Sequence, residues 1–109
     1  KVLPAEYKGW IGTNRRESLI NSVDDARLRK MIGEVYRPSS VIGDGGTADS
    51  IRFERKTGRL LSKSGHSQKA QNMLVYFQKL KDSGNLSDKD LKVVTELLND
   101  LRKALEEKG

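Results

Sequence analysis

The chain has 109 residues, with 21 Lys and Arg against 15 Asp and Glu, a net charge of +6, one His and no Cys. This length suits one domain with a single modest core, and the lack of Cys excludes disulfides, thiolate nucleophiles and zinc sites built on Cys. No apolar run reaches the roughly 18 residues of a membrane span, and no secretory leader is visible. Because the chain begins with Lys1 rather than Met, we expect it to be processed or cut from a longer protein.

Positive charge is concentrated in the first three quarters of the chain. Residues 1–81 carry a net charge of +8 and residues 82–109 a net charge of −2, and residues 52–69 alone hold six basic side chains against one acidic side chain. A field of this sign attracts a polyanion, of which nucleic acid is the commonest. The charge alone leaves open a protein with a basic surface and no such partner.

Residues 1–16 are expected to form an irregular segment whose Tyr7 and Trp10 pack back onto the body of the domain. A first helix is predicted at about 23–36, with Ser22 as its N-cap and acidic residues in its first turn, where the helix dipole favours anions. Its apolar stripe at helical spacing consists of Leu28, Met31, Ile32 and Val35.

A Gly-rich loop at 38–46 leads into a second predicted helix, 48–56, which Thr47 caps and Gly58 stops. A basic connector follows. A third helix is predicted at about 65–82, because its apolar residues recur at intervals of three and four. Loops on a rigid scaffold often carry functional sites, so the loop and the connector are the first places to look for chemistry.

A fourth helix is predicted at about 88–107, opened by Ser87 and Asp90 in a capping-box arrangement. Its leucine stripe and its opposite face of mixed charge are typical of a structural scaffold. The sequence therefore predicts a mainly α fold: one domain over 1–109, a small bundle of about four helices with a Gly-rich loop and a basic connector. The two long helices are expected to pack as an antiparallel pair.

Sequence tests for metal and nucleotide sites are negative. The chain has one His and no HExxH pattern, and the segment from Asp44 to Asp49 lacks the dense oxygen ligands of a calcium loop. The Gly-rich loop matches neither GxGxxG, because position 48 is Ala, nor the P-loop. We therefore expect no metal and no cofactor.

The Gly-rich loop allows two interpretations. Backbone N–H groups at residues 43–49, just before a helix, can hold a phosphate. Alternatively, the glycines serve a tight turn and Asp49 complements the helix dipole, and the local pattern alone favours this second interpretation.

His66 opens the third helix within the most basic stretch of the chain, and Lys69 lies three residues on, hence on the same face. A lone His is more often structural or simply exposed than catalytic, but this one follows a Gly and lies outside any apolar stripe. A base, an acid and fixed cations suffice to cleave RNA through its 2′-hydroxyl without a metal, and DNA lacks that hydroxyl.

Candidate residues for such chemistry fall into two groups. His66 can act as base or acid, with Asp49 or Glu54 as its partner or orienter. The candidate phosphate-binding cations are Arg52, Arg55, Lys63 and Lys69. Asp49 and Arg52 share one helix face, since they are three residues apart.

Two short motifs resemble the C-terminal toxin domains of bacterial polymorphic toxins, as found in contact-dependent growth inhibition effectors. Residues 45–54 read Gly-Gly-Thr-Ala-Asp-Ser-Ile-Arg-Phe-Glu, and residues 65–71 read Gly-His-Ser-Gln-Lys-Ala-Gln. They are similar to the family type Gly-x-Thr-Ala-Asp-Ala-hydrophobic-Arg followed by His-Ser-x-Lys. The resemblance covers about residues 41–105.

This resemblance implies a mainly helical ribonuclease that often acts on transfer RNA. It implies export as the C-terminal part of a large secreted or cell-surface effector, action in the cytoplasm of a target cell, and a cognate immunity protein, expected to be acidic given the basic surface. Asp49 and His66 are the strongest catalytic matches by position. Further matches fall on Thr47, Arg52 and Lys69.

The chain departs from the family pattern at three points. Ser50 stands where Ala is usual, and Lys69 stands where some relatives carry an acidic residue. Some relatives also end in a Gly-Tyr-Gly-Ile tail that docks into cysteine synthase as a host activator. This chain ends Glu-Glu-Lys-Gly, so the tail is either absent or was cut after the Gly, and dependence on that partner is not inferred.

Two other functions fit the same sequence. One is a non-catalytic basic nucleic-acid-binding module that uses the same segment without turnover. The other is a helical protein-interaction domain whose charge is incidental.

Overall fold

A computed structural model describes residues 3–63 and 65–107, and within these ranges the protein is mainly helical and contains no β-strand. A 3-10 turn, Ala5–Tyr7, is followed by five α-helices: α1 (Arg16–Ser22), α2 (Ala26–Val35), α3 (Thr47–Thr57), α4 (Ser67–Asp82) and α5 (Asp88–Glu106). The mainly α fold is confirmed, with one helix more than the four expected. None of the described helices is long and apolar enough to cross a membrane.

The additional helix is α1. It buries Leu19 and packs on α2. With seven residues it is too short to show a hydrophobic period, so the sequence pattern gave no signal for it. The prediction of Ser22 as a helix N-cap was wrong, because Ser22 is the last residue of α1 and its hydroxyl donates to the Leu19 carbonyl.

The start of α2 is fixed by two carboxylates. Asp25 is the N-cap, and its side chain accepts the N–H groups of Arg27 at 2.9 Å and Leu28 at 3.0 Å. The side chain of Asp90, at the start of α5 and only 1% exposed, accepts the N–H groups of Asp24 and Asp25. Asp90 therefore ties the beginning of α2 to the beginning of α5.

The other three predicted helices are confirmed with small shifts at their ends. Gly58 ends α3 in the left-handed conformation, and Ser87 caps α5 by accepting the N–H of Asp90 at 3.2 Å. The cap assigned to Thr47 was wrong. Thr47 is the first residue of α3, and its buried hydroxyl donates to the Val35 carbonyl at 2.9 Å, which joins α3 to the end of α2.

The core takes residues from all five helices, and α2 contributes Leu28, Ile32 and Val35 to it. The two longest helices, α4 and α5, follow each other across residues 83–87 and pack directly together, and α3 packs on both. Tyr7 and Trp10 pack back onto the body as expected, with their rings edge-on to buried Phe53 at 5.1 and 5.5 Å between centroids. This packing leaves the connector after α3 and the loop before it on one side of the core, where the candidate site lies.

Candidate active site

His66 is bound to a buried carboxylate. It occupies the N-cap of α4, and its Nδ1 lies 2.8 Å from Oε2 of Glu54 on α3. Glu54 also accepts the N–H of His66 at 3.0 Å and the N–H of Leu61 at 2.9 Å. Glu54 is only 7% exposed, and three hydrogen bonds offset the cost of burying its charge.

This contact decides which ring nitrogen of His66 is available. A carboxylate accepts only, so Nδ1 carries the proton when it donates to Glu54, and Nε2 is left as the acceptor of a neutral ring. No side chain or backbone group within the described ranges hydrogen-bonds Nε2. The imidazole is 13% exposed and borders a cavity, so a ligand in that cavity can reach it.

The connector between α3 and α4 is shaped so that it meets Glu54. Gly58 reverses the chain with φ of +75°, and its N–H donates to the Glu54 carbonyl at 2.9 Å. Gly65 also has φ of +75°, and a Cβ there would lie 3.4 Å from Glu54 Oε1 and 3.2 Å from the Leu60 side chain. Glycine at 65 therefore lets the backbone approach the carboxylate just before His66.

The cavity bordered by His66, here called the histidine cavity, has a volume of about 920 Å³. Two cations, Arg37 and Lys69, line it, and none of the lining residues that the structure describes is acidic. The polar part of its wall also includes five hydroxyl side chains and two amides: Ser39, Ser40, Thr47, Ser50, Ser62, Gln68 and Asn72. A cavity with this lining suits an anion.

Lys69 and Arg37 reinforce that preference. Partial burial, followed by the nearby Arg37 guanidinium, lowers the pKa of Lys69 from its ordinary value. Within residues 3–63 and 65–107 neither cation takes part in an ion pair. The nearby Glu34 carboxylate offsets part of the repulsion between the two cations, and a bound anion would relieve the rest.

Asp49 lies in a different network. Its Oδ2 accepts the N–H of Asp44 at 2.8 Å, and its Oδ1 pairs with Arg52 at 2.9 Å. Arg52 also pairs with Asp100 of α5 at 2.9 Å. The shared face of Asp49 and Arg52 is thus turned to α5, and neither side chain lines the histidine cavity.

The other predicted cations are also separate from His66. The Arg55 guanidinium donates to the carbonyls of Ala104, Leu105 and Glu107 at 2.6–2.8 Å and so satisfies the C-terminal end of α5. Lys63 is exposed on the connector and does not line the cavity. Among the residues predicted from the sequence, the structure brings together His66, Glu54, Lys69 and the wall residue Thr47.

The Gly-rich loop is filled by the protein's own carboxylates. The N–H of Gly46 donates to Asp44 Oδ1 at 2.9 Å, and the N–H of Asp44 donates to Asp49. Gly43 has φ of +56°, and a Cβ there would lie 2.1 Å from Asp49 Oδ2. The geometry agrees with the tight-turn interpretation and leaves these groups no room for a phosphate.

Sequence reasoning missed Arg37. It follows α2 and precedes Pro38, well before the basic stretch at 52–69 in the sequence. Packing of α2 on α4 brings Arg37 beside Lys69, and no local pattern records that contact.

Among residues 3–63 and 65–107, no group of three or more His, Asp and Glu side chains is placed to hold a metal ion. No family model, curated protein or solved structure matches the chain.

Proposed function

We propose that this protein is a metal-independent endoribonuclease. The observation that carries the proposal is one imidazole, held through Nδ1 by buried Glu54, at the edge of a cavity lined by Arg37 and Lys69. A base beside two cations suits the transesterification of a phosphodiester, because the base takes the proton of the attacking hydroxyl and the cations stabilise the developing charge.

In the proposed reaction, Nε2 of His66 accepts the proton of the RNA 2′-hydroxyl. The freed 2′-oxygen attacks the adjacent phosphorus, and the bond from phosphorus to the 5′-oxygen breaks. The imidazolium returns its proton to that 5′-oxygen, so the products are a 2′,3′-cyclic phosphate and a 5′-hydroxyl. Arg37 and Lys69 neutralise the charge that develops on the non-bridging oxygens.

Glu54 acts on this reaction through His66. Its carboxylate holds the proton on Nδ1, orients the ring and stabilises the imidazolium formed midway. It is therefore a positioning residue. Asp49 and Arg52, whose partners lie in the scaffold, support the reaction only by holding α3 on α5.

The wider proposal follows the resemblance of the two sequence motifs. The domain would be exported as the C-terminal part of a larger effector and would cleave transfer RNA in the cytoplasm of a competing cell. A cognate immunity protein with an acidic surface would cover the histidine cavity, because the lining residues that the structure describes include cations and no carboxylate.

Cleavage of total RNA, with and without EDTA, tests the activity. We expect cleavage that resists EDTA, 2′,3′-cyclic phosphate ends, and a loss of about 10²- to 10⁴-fold in His66→Ala, the range for a general acid–base group. Gln71→Ala, an exposed change on the same helix, is the matched control and should retain activity. Circular dichroism and thermal unfolding establish that both variants fold.

Three outcomes would contradict the proposal: cleavage that requires a divalent metal, cleavage unchanged in folded His66→Ala, or none by the folded wild-type protein. Tight RNA binding without any cleavage would favour the non-catalytic binding module instead.

A further inference from the structure

A second groove adjoins the histidine cavity. It has a volume of about 740 Å³ and lies between the α2 side of the molecule and α4. Lys30, Glu34 and Tyr76 line it, and we call it the tyrosine groove. Tyr76 is 39% exposed and Lys30 is exposed, so both side chains are available to a ligand.

The two depressions share a boundary. Arg37, Lys69 and Asn72 line both the histidine cavity and the tyrosine groove. A phosphate bound by Arg37 and Lys69 therefore has His66 on one side and Tyr76 on the other. A polynucleotide chain leaving that phosphate in either direction enters one depression or the other.

The chemistry of the tyrosine groove suits a nucleotide. Its described charged residues are three cations, Lys30, Arg37 and Lys69, against one carboxylate, Glu34. An exposed aromatic ring within a positively charged groove is the arrangement by which proteins bind unpaired bases, because every base has a face that stacks. Bases in a duplex are already stacked and paired, so this surface discriminates against them.

Resting on the proposed function, we propose that the tyrosine groove is a second nucleotide subsite. It binds the nucleotide across the scissile phosphate from the one in the histidine cavity, with its base stacked on Tyr76 and its outer phosphate near Lys30. The substrate is then an unpaired stretch of RNA at least two nucleotides long.

Binding of short single-stranded deoxyoligonucleotides tests this subsite without cleavage, since they lack the 2′-hydroxyl. We expect affinity to rise between one and two nucleotides for the wild-type protein. Tyr76→Ala should lose that gain, about 5- to 100-fold, while its affinity for a mononucleotide stays unchanged. Tyr76→Phe keeps the stacking face and should bind like the wild type.

Val75→Ala is the matched control, since Val75 is the preceding residue of α4, is 57% exposed and lines another surface depression. Equal loss in Val75→Ala and Tyr76→Ala, no loss in Tyr76→Ala, or equal affinity for single strands and duplex would overturn the subsite.

The two proposals can fail separately. If wild-type protein cleaves RNA while folded Tyr76→Ala binds normally, the subsite fails and the ribonuclease proposal stands. If deoxyoligonucleotides bind as expected but no RNA is cleaved, the ribonuclease proposal fails and the groove remains a binding site.

Discussion

Glu54 is the residue on which the geometry of the site depends, because its carboxylate accepts two backbone N–H groups and the His66 ring. An amide in its place keeps one acceptor oxygen, and its NH₂ group would face an N–H of Leu61 or His66 that now donates to the carboxylate. Glu54→Gln should therefore lower the free energy of unfolding by about 1–3 kcal/mol and also reduce cleavage at temperatures where the variant is folded.

Urea unfolding and RNA cleavage measure the two effects. Glu96→Gln is the control, because Glu96 is exposed and forms a surface pair with Arg15, so its loss should cost less than about 1 kcal/mol. Full activity in Glu54→Gln would show that the carboxylate has no part in positioning His66.

The charge of Lys69 at the candidate site lowers the stability of the folded protein. Burial, and then Arg37, lowers the pKa of Lys69, so the unfolded state holds this proton more tightly than the folded state. The destabilisation is full at pH values below the folded pKa and disappears as the pH rises through it toward the unfolded value. Lys69→Gln should then raise the unfolding free energy at pH 7, with the gain vanishing near pH 10.5, while RNA binding weakens.

Urea unfolding of Lys69→Gln and the wild type at both pH values measures this difference. An equal gain at the two pH values would show that the titration of Lys69 is not its cause.

At the level of the helices, the side chain of Asp90 connects the start of α2 to the start of α5 through hydrogen bonds. Asp90→Ala leaves the N–H groups of Asp24 and Asp25 without their acceptor in a part-buried place, so we expect a loss of about 2–3 kcal/mol in thermal unfolding. Asp88→Ala changes an exposed carboxylate in the same first turn and should cost less than about 1 kcal/mol. Similar losses in both variants would mean that the effect comes from the helix dipole alone.

The turn before α3 gives a second test at this scale. Gly43→Ala must place a Cβ where Asp49 lies, whereas Gly84→Ala, also at positive φ, meets nothing within 4 Å. Both should lose about 1–2 kcal/mol from the left-handed backbone. Gly43→Ala should lose a further ~1–3 kcal/mol, since Asp49 must leave the Asp44 N–H. Equal losses of unfolding free energy in the two variants, measured by chemical unfolding, would show that Asp49 moves aside at little cost.

Helices with a long apolar stripe were predictable, and the contacts between them were not. Periodicity located α2, α4 and α5, and the stop at Gly58 helped to locate α3, whereas α1, with Leu19 as its buried residue, was too short to show a period. The three-residue offset of Asp49 and Arg52 correctly placed them on one face, but packing decides that this face meets α5. His66 and Lys69 were found from local pattern, while Arg37 reaches the site only through tertiary packing.

Charge is uneven over the whole molecule, with the excess of cations in residues 1–81. If Lys30, Arg37 and Lys69 contact phosphates, the affinity for single-stranded nucleic acid should fall with salt with a log–log slope of about −2. Lys30→Gln should reduce the slope to about −1.4, and Lys92→Gln, an exposed change on α5, should leave it unaltered. Titrations from low to moderate salt measure these slopes, and a slope near zero would exclude phosphate contacts by these cations.

Leu61 and His66 donate their N–H groups to the same carboxylate, that of Glu54. These contacts can therefore be lost together without unfolding of the whole domain. If the contacts of Glu54 were lost, we expect the His66 ring and the segment before it to detach while the core of the five helices keeps its contacts. On the proposed function, such a local opening would stop cleavage reversibly without unfolding the domain.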